Sequence, residues 1–247
     1  MAKKNPLSDF YNTKYTAGEE IQRSSKLFTL QAVPDEGEMS VLDVGCGAGV
    51  NSLAIAAKGH KVQGVDLSPV AIEKYREKGF EGKVADLERA LDFEDNTFDL
   101  IFCSEVIEHL NLPEVFSREI FRILKPGGSF VVSTPNSAFW IYRLGAIFGY
   151  TLSELQHPKH FQFFSCRSLS KLLLASGFEI EQRYGRNIYL LIPGPWANDS
   201  LDFLQKLGMK KEIRFRTKKP FYHWSNKSRF WNSLFADTLI MKLAKPG

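Results

Sequence analysis

Between residues 40 and 134 the chain passes repeatedly from short β-branched runs to stretches with helical apolar spacing, and few folds accept that rhythm. "SVLDVG" (40–45) ends in a glycine turn, and "VNSLAIAAKG" (50–59) then reads as a helix stopped by Gly59. "KVQGVDL" is the next strand. "SPVAIEKYREKG" opens with a serine cap and a proline at the first helical position. "GKVADL" and "FDLIFCSE" are two further strands, the amphipathic "LPEVFSREIFRIL" stops at "KPGG", and "SFVVSTP" is a fifth strand. Strands joined through short helices predict an α/β protein with a parallel, doubly wound sheet. Beyond Asn136 the rhythm breaks into an aromatic-rich insertion (137–165). A helix ("RSLSKLLLASGF"), a strand ("EIEQRYG"), an irregular stretch (187–235) and a last strand in "ADTLIMKLAKP" follow.

The 247 residues suit one domain with insertions, 1–40 forming an amino-terminal helical segment and 41–136 the core. Hydrophobic content of 44%, charged content of 24% and a net charge of +4 are ordinary for a globular protein and do not by themselves argue for nucleic acid. Cys46, Cys103 and Cys166 lie far apart, which excludes a disulfide framework or a zinc ribbon and fits a reducing compartment. No apolar run follows the amino-terminal lysines, so no secretory signal is read there. The most apolar stretch, 137–150, is too short to span a bilayer and is interrupted by Arg143, so a cytoplasmic protein is expected.

"LDVGCGAGV" (42–50) sits where a strand hands over to a helix, and its glycines let the backbone approach a ligand closely. Gly45, Gly47 and Gly49 alternate, and Val50 occupies the place where a dinucleotide fingerprint needs its third glycine. Acidic residues close three successive strands. Asp43 is poised for a ligand ammonium, Asp66 for a pair of ribose hydroxyls, and Asp86 with Leu87 for an adenine. That series suits a nucleoside carrying positive charge.

"LDVGCGAG", "VQGVDLS", "VADLE", "FDLIFCSEVIEHL" and "ILKPGGSFVVSTPN", in this order, resemble the motif series of the class I S-adenosylmethionine-dependent methyltransferases. The resemblance is close over 41–136 and looser to 184 and in the final strand. It implies a Rossmann-like seven-stranded sheet with the last strand antiparallel, an insertion covering the active site, and S-adenosyl-L-methionine as cofactor. It also implies that Gly45, Gly47, Asp66 with Leu67, Asp86, Leu87 and Ser104 line the cofactor, with Arg23 closing over its carboxylate.

"SEVIEHL" (104–110) follows the fourth strand at the ligand-binding edge. On a helix, Glu105, Glu108 and His109 would share one face. The residues alone leave open a metal site, an acid/base site, or an acidic helix start. The E-x-x-E-H resembles a metal-binding turn of the ubiquinone-pathway O-methyltransferases. The small-RNA 3′-terminal ribose 2′-O-methyltransferases carry the same turn, then T-P-N (here 134–136) and a later histidine matching His160 in "HPKHFQFFS". Together these imply a divalent metal ion on Glu105, Glu108, His109 and His160. Two imidazoles keep manganese, iron, cobalt and zinc open beside magnesium. Without a metal, His109 or His160 would serve as general base.

"TPNSAFWIYRLGAIFG" with "HPKHFQFFS" and "LLLASGFEI" resembles bacterial methyltransferases of polysaccharide and natural-product pathways, in which the insertion covers the acceptor. Phe139, Trp140, Tyr142 and Phe148 would then wall an apolar acceptor, and a lipid-linked one would bring the segment to a membrane surface. The reading favoured is O-methylation of a small-molecule or sugar-containing acceptor. Lys206, Lys210, Lys211, Arg214, Arg216, Lys218, Lys219, Lys227 and Arg229, opposed by Glu212 and interleaved with Phe215, Phe221, Tyr222 and Trp224, keep RNA ribose methylation as the alternative. A non-catalytic cofactor-binding module is the third reading. An oxidoreductase is disfavoured by the missing third glycine.

Overall fold

The computed structural model describes residues 6–16, 29–157, 159–188 and 236–247. An amino-terminal helix α1 (Pro6–Thr16) precedes a 3₁₀ turn (Leu30–Ala32) and the alternating unit. That unit is β1 (Ser40–Val44), α2 (Val50–Ala56), β2 (Lys61–Asp66), α3 (Pro69–Glu77), β3 (Glu81–Val84), β4 (Phe98–Ser104), α4 (Pro113–Ile123) and β5 (Leu124–Pro135). Then come α5 (Trp140–Ile147), α6 (Leu152–Leu155), α7 (Cys166–Ala175), β6 (Glu179–Ile188) and β7 (Ala236–Ala244). The seven strands form one sheet in the order β3-β2-β1-β4-β5-β7-β6. β1 to β5 are mutually parallel, and β7 runs antiparallel between β5 and β6. This is the doubly wound sheet with an antiparallel last strand that the sequence predicts.

Local chemistry sets the elements. Ser68 caps α3 by accepting the Ala71 N–H (3.1 Å), and Pro69 starts the helix with φ already suited to it. α4 buries Phe116, Ile120 and Ile123, spaced four and three apart on one stripe. Each such side chain contributes about 2 kcal/mol by leaving water. The central strands β1 and β4 are buried on both faces, with Val41, Leu42, Val44, Leu100, Ile101, Phe102 and Cys103 all fully enclosed, as a sheet covered by helices on both sides requires.

The strand order reverses between β1 and β4, where the Val44–Cys103 pair closes the ladder. Connections leaving two neighbouring strands in opposite directions open a crevice beyond their carboxyl ends, the place where such sheets bind ligands. In this chain the glycine turn leaves β1 there and "SEVIEHL" leaves β4.

Candidate active site

Gly45 and Gly47 hold left-handed backbone, φ +66° and +54°. A Cβ on Gly45 would overlap Val106, and one on Gly47 would overlap the Tyr15 hydroxyl. Both positions therefore need glycine for space as well as conformation. Asp66 fixes the turn: one carboxylate oxygen accepts the Gly47 N–H and the other the Ser68 N–H, each at 2.9 Å. Asp43, fully buried at the end of β1, accepts from Ser52 on α2 at 2.6 Å, and the Tyr75 hydroxyl donates to Ser52 at 2.9 Å. The acids expected at the cofactor thus also brace the loop that would carry it. Asp86 and Leu87 follow β3, with Asp86 accepting the Glu88 N–H and Leu87 buried in the core. Leu67 accepts from Ser8 of α1 (3.2 Å). Arg23 lies outside the described residues.

α1 roofs this edge. Besides Ser8, it offers Asn12, whose side-chain oxygen accepts from Ser68 at 2.6 Å, and Tyr15, whose carbonyl accepts from Lys74 at 2.5 Å. Burial, helped by the Asp66 carboxylate, pushes the Tyr15 phenol well above its usual range, so it stays neutral and available as a donor. Burial first, and then the carboxylates of Glu108, Asp43 and Glu105, push the Cys103 thiol up. The crevice floor is electronegative, which suits a cationic ligand end.

The turn after β4 departs from the helix that its spacing predicts. Ile107–His109 is a single 3₁₀ turn, and Glu105 sits before it with φ +57°, a left-handed backbone that residues with a Cβ seldom adopt. Pro113 disfavours helical backbone at Leu112, which stands at φ −119° and ψ 62°, so the helix restarts only at α4. Glu105 is consequently not stacked with Glu108 and His109. It accepts from Ser133 at 3.1 Å, and Ser133 is in turn bonded to Ser104 (3.0 Å), itself 3.4 Å from Thr29.

What the structure does gather is Glu108, His109 and His160, each offering a ligand atom within 4.8 Å of the others. The segment carrying His160 is tied to the turn by backbone bonds, since Phe161 and Gln162 N–H both donate to the Glu108 carbonyl (2.9 and 3.0 Å). Thr134 of β5 donates to one Glu108 oxygen (3.1 Å), and the other lies 3.9 Å from His109 Nε2. His109 Nδ1 donates to the Lys159 carbonyl at 2.8 Å, which leaves Nε2 with the lone pair. His160 Nδ1 pairs with the Gln156 side-chain oxygen at 3.1 Å and is fixed the same way. One carboxylate and two imidazoles, each oriented by a partner on its far side, fit a divalent transition ion better than magnesium.

Sequence reasoning missed His157 and the α1 aromatics. His157 lies 6.0 Å from His109 and 5.5 Å from His160 between ring centroids, while His109 and His160 are 4.9 Å apart. Phe10 and Tyr11 reach down to His157 and His109, both at 6.2 Å. The H-x-x-H spacing of "HPKH" was a signal for His157; α1 carries none. Of the expected aromatic wall, Phe139 is buried and packs on Trp140 and Tyr142 (6.2 and 5.6 Å), whereas Phe148 is 67% exposed. The basic aromatic segment 206–229 lies outside the described residues.

A family model described as "Methyltransferase domain" matches residues 15–183. The chain is 32% identical to a mitochondrial ubiquinone biosynthesis O-methyltransferase of Mus musculus over 67% of this chain and 48% of that one. It is 31% identical to the ubiquinone biosynthesis O-methyltransferase of Xanthomonas oryzae pv. oryzae over 71% of this chain and 73% of the relative. The chain spans about half the length of the mammalian relatives it matches. Among solved structures, the methyltransferase bound to the Trm112 activator of Haloferax volcanii superposes with a TM-score of 0.67 at 18% identity, over 99% of both chains. A Burkholderia thailandensis N1-methyltransferase, solved with 1,6-didemethyltoxoflavin and S-adenosylhomocysteine, gives 0.60 at 15% identity over 98% of this chain and 88% of that one. These two show the shared fold. With the motif series, the sheet order and the match over residues 15–183 in agreement, the chain belongs to the S-adenosylmethionine-dependent methyltransferase family.

Proposed function

We propose that this protein methylates a hydroxyl oxygen of a small-molecule acceptor, with a divalent ion held by Glu108, His109 and His160. The observation that carries the reading is that donor set, within 4.8 Å and one loop away from the glycine turn. The relatives named for O-methylation in ubiquinone biosynthesis support an oxygen acceptor. The aromatic faces of Phe10 and Tyr11 beside the histidines support an acceptor with a flat or apolar body.

S-adenosylmethionine, when bound, supplies a methyl group on a sulfonium for in-line displacement by an oxygen. A divalent ion on the three ligands would lower the pKa of an acceptor hydroxyl. The chain's own part is positioning. Gly45 and Gly47 keep the crevice open to the cofactor, and the carboxylates of Asp43, Glu105 and Glu108 favour its positive end. Val106, packed on Gly45, joins the cofactor turn to the acceptor turn, so the two reactants approach along a fixed line. α1 closes over both and excludes water.

The test is titration of Mn²⁺ and Co²⁺ into chelator-treated protein saturated with S-adenosylhomocysteine, followed by label transfer from the cofactor to catechols, vicinal diols and RNA ends. One ion per chain is expected, lost in Glu108→Gln and His160→Ala and kept in Glu105→Gln. No binding by the wild type refutes the metal reading and returns His109 and His160 to proton acceptance. Label on RNA ends alone refutes the small-molecule acceptor.

A further inference from the structure

The turn that carries Glu108 and His109 is lightly held from within. It is one 3₁₀ turn without a side-chain cap, in which the Val106 and Ile107 carbonyls accept from the N–H groups of His109 (2.9 Å) and Leu110 (3.3 Å). Its exit is clipped from outside. One Glu88 carboxylate oxygen accepts both the Asn111 backbone N–H and the Asn111 side-chain amide, the latter at 3.1 Å. Glu88 lies 23 residues upstream, on the loop that follows β3. Beside the clip, Leu87 and Leu91 of that loop share one buried cluster with Ile107 and Leu110 of the turn. Loop and turn are therefore joined by a bidentate carboxylate and by packing.

The same loop carries Asp86 and Leu87, the residues that the family resemblance implies for the adenine. The Asp86 carboxylate also accepts the Glu88 N–H (3.0 Å), so whatever fixes Asp86 fixes the backbone of Glu88. A ligand on Asp86 and Leu87 takes freedom from the loop and thereby favours the clipped turn. A turn already clipped has ordered the loop, so the ligand loses less conformational entropy on binding. We propose that Glu88 is a positioning residue that couples cofactor binding on the β3 loop to order in the turn carrying Glu108 and His109. The two effects are equal and reciprocal, as linkage requires. The acceptor side is then fully assembled only when the cofactor is in place. The inference rests on the cofactor's adenine meeting Asp86 and Leu87, and it holds for any ion or acceptor on the turn. Glu88 acts through Asn111 and takes no part in the chemistry.

The test is amide hydrogen exchange of metal-free protein with and without saturating S-adenosylhomocysteine, followed over residues 45–49, 85–91 and 107–111. In the wild type all three stretches should slow, the turn at 107–111 by roughly tenfold, within the usual span of coupling between sites. In Glu88→Ala the slowing at 107–111 should vanish while that at 45–49, which reports bound ligand, remains. Glu88→Gln keeps an oxygen that accepts the Asn111 N–H and should restore most of it. Slowing at 107–111 that persists in Glu88→Ala overturns the inference. So does exchange there that is faster by the same factor with and without ligand, which would make Glu88 a static support. A wild type protected at 45–49 but not at 85–91 overturns the adenine placement and the inference with it, and one protected nowhere overturns cofactor binding itself.

Discussion

Gly45→Ala is expected to strike the cofactor turn and the acceptor turn together. An alanine at φ +66° costs about 1–2 kcal/mol for left-handed backbone. Its methyl would overlap Val106 Cγ2 and lie 3.3 Å from Cγ1, and overpacking of that kind costs about 1–3 kcal/mol. The loss, about 2–5 kcal/mol, is a large share of the roughly 5–15 kcal/mol that holds a domain folded. Urea unfolding should show a midpoint lowered by about 1 M at unchanged slope. Val106→Ala in the same chain removes both γ-methyls, so it should recover the steric part and leave the backbone part, giving a coupling of about 1–3 kcal/mol in a double-mutant cycle. Val106 also accepts the His109 N–H at 2.9 Å, so the folded Gly45→Ala protein should bind Mn²⁺ more weakly. A loss under about 1 kcal/mol, or no recovery with Val106→Ala, would refute the contact as the reason for glycine.

Ser68→Ala removes the α3 cap and the hydroxyl that donates to Asn12, and should cost about 1–2 kcal/mol by urea midpoint while loosening α1, seen as faster amide exchange over Pro6–Thr16. Tyr75→Phe leaves Ser52 on Asp43 but deletes the buried bond above it, and should cost about 1 kcal/mol. The Arg122 guanidinium holds the Glu119 carboxyl below the usual carboxylate range, against the opposing effect of burial. With the folded value below the unfolded one, this stabilisation is complete above the unfolded pKa and lost as pH falls through the folded one. Glu119→Gln should therefore flatten the acid limb of stability below about pH 4 and run parallel to wild type from pH 6 to 8. A constant offset at every pH would put the effect down to packing.

The parts of this molecule legible in its sequence are those that repeat a local rule. Alternating strand and helix patterns gave the sheet, "SPVAIEKY" gave a capped helix, and the glycine turn marked the edge where ligands enter. The acidic turn was legible as residues and misread as geometry. A spacing of three and four implies a shared face only if the backbone is helical, and Glu105 at φ +57° with Pro113 shortly after breaks that premise. His160 reached the site on a family resemblance, yet the bonds that bring it there run from Phe161 and Gln162 to the Glu108 carbonyl and leave no trace in side-chain pattern. The same limit applies more sharply to His157. Its letter is as visible as that of His160, three positions on. His157 Nδ1 accepts from the Lys159 N–H whereas His160 Nδ1 meets the Gln156 side-chain oxygen, and backbone N–H groups are alike in every residue. Contacts that rest on backbone partners enter only with coordinates, so how each ring of "HPKH" is held follows from the fold rather than from the spacing of its histidines.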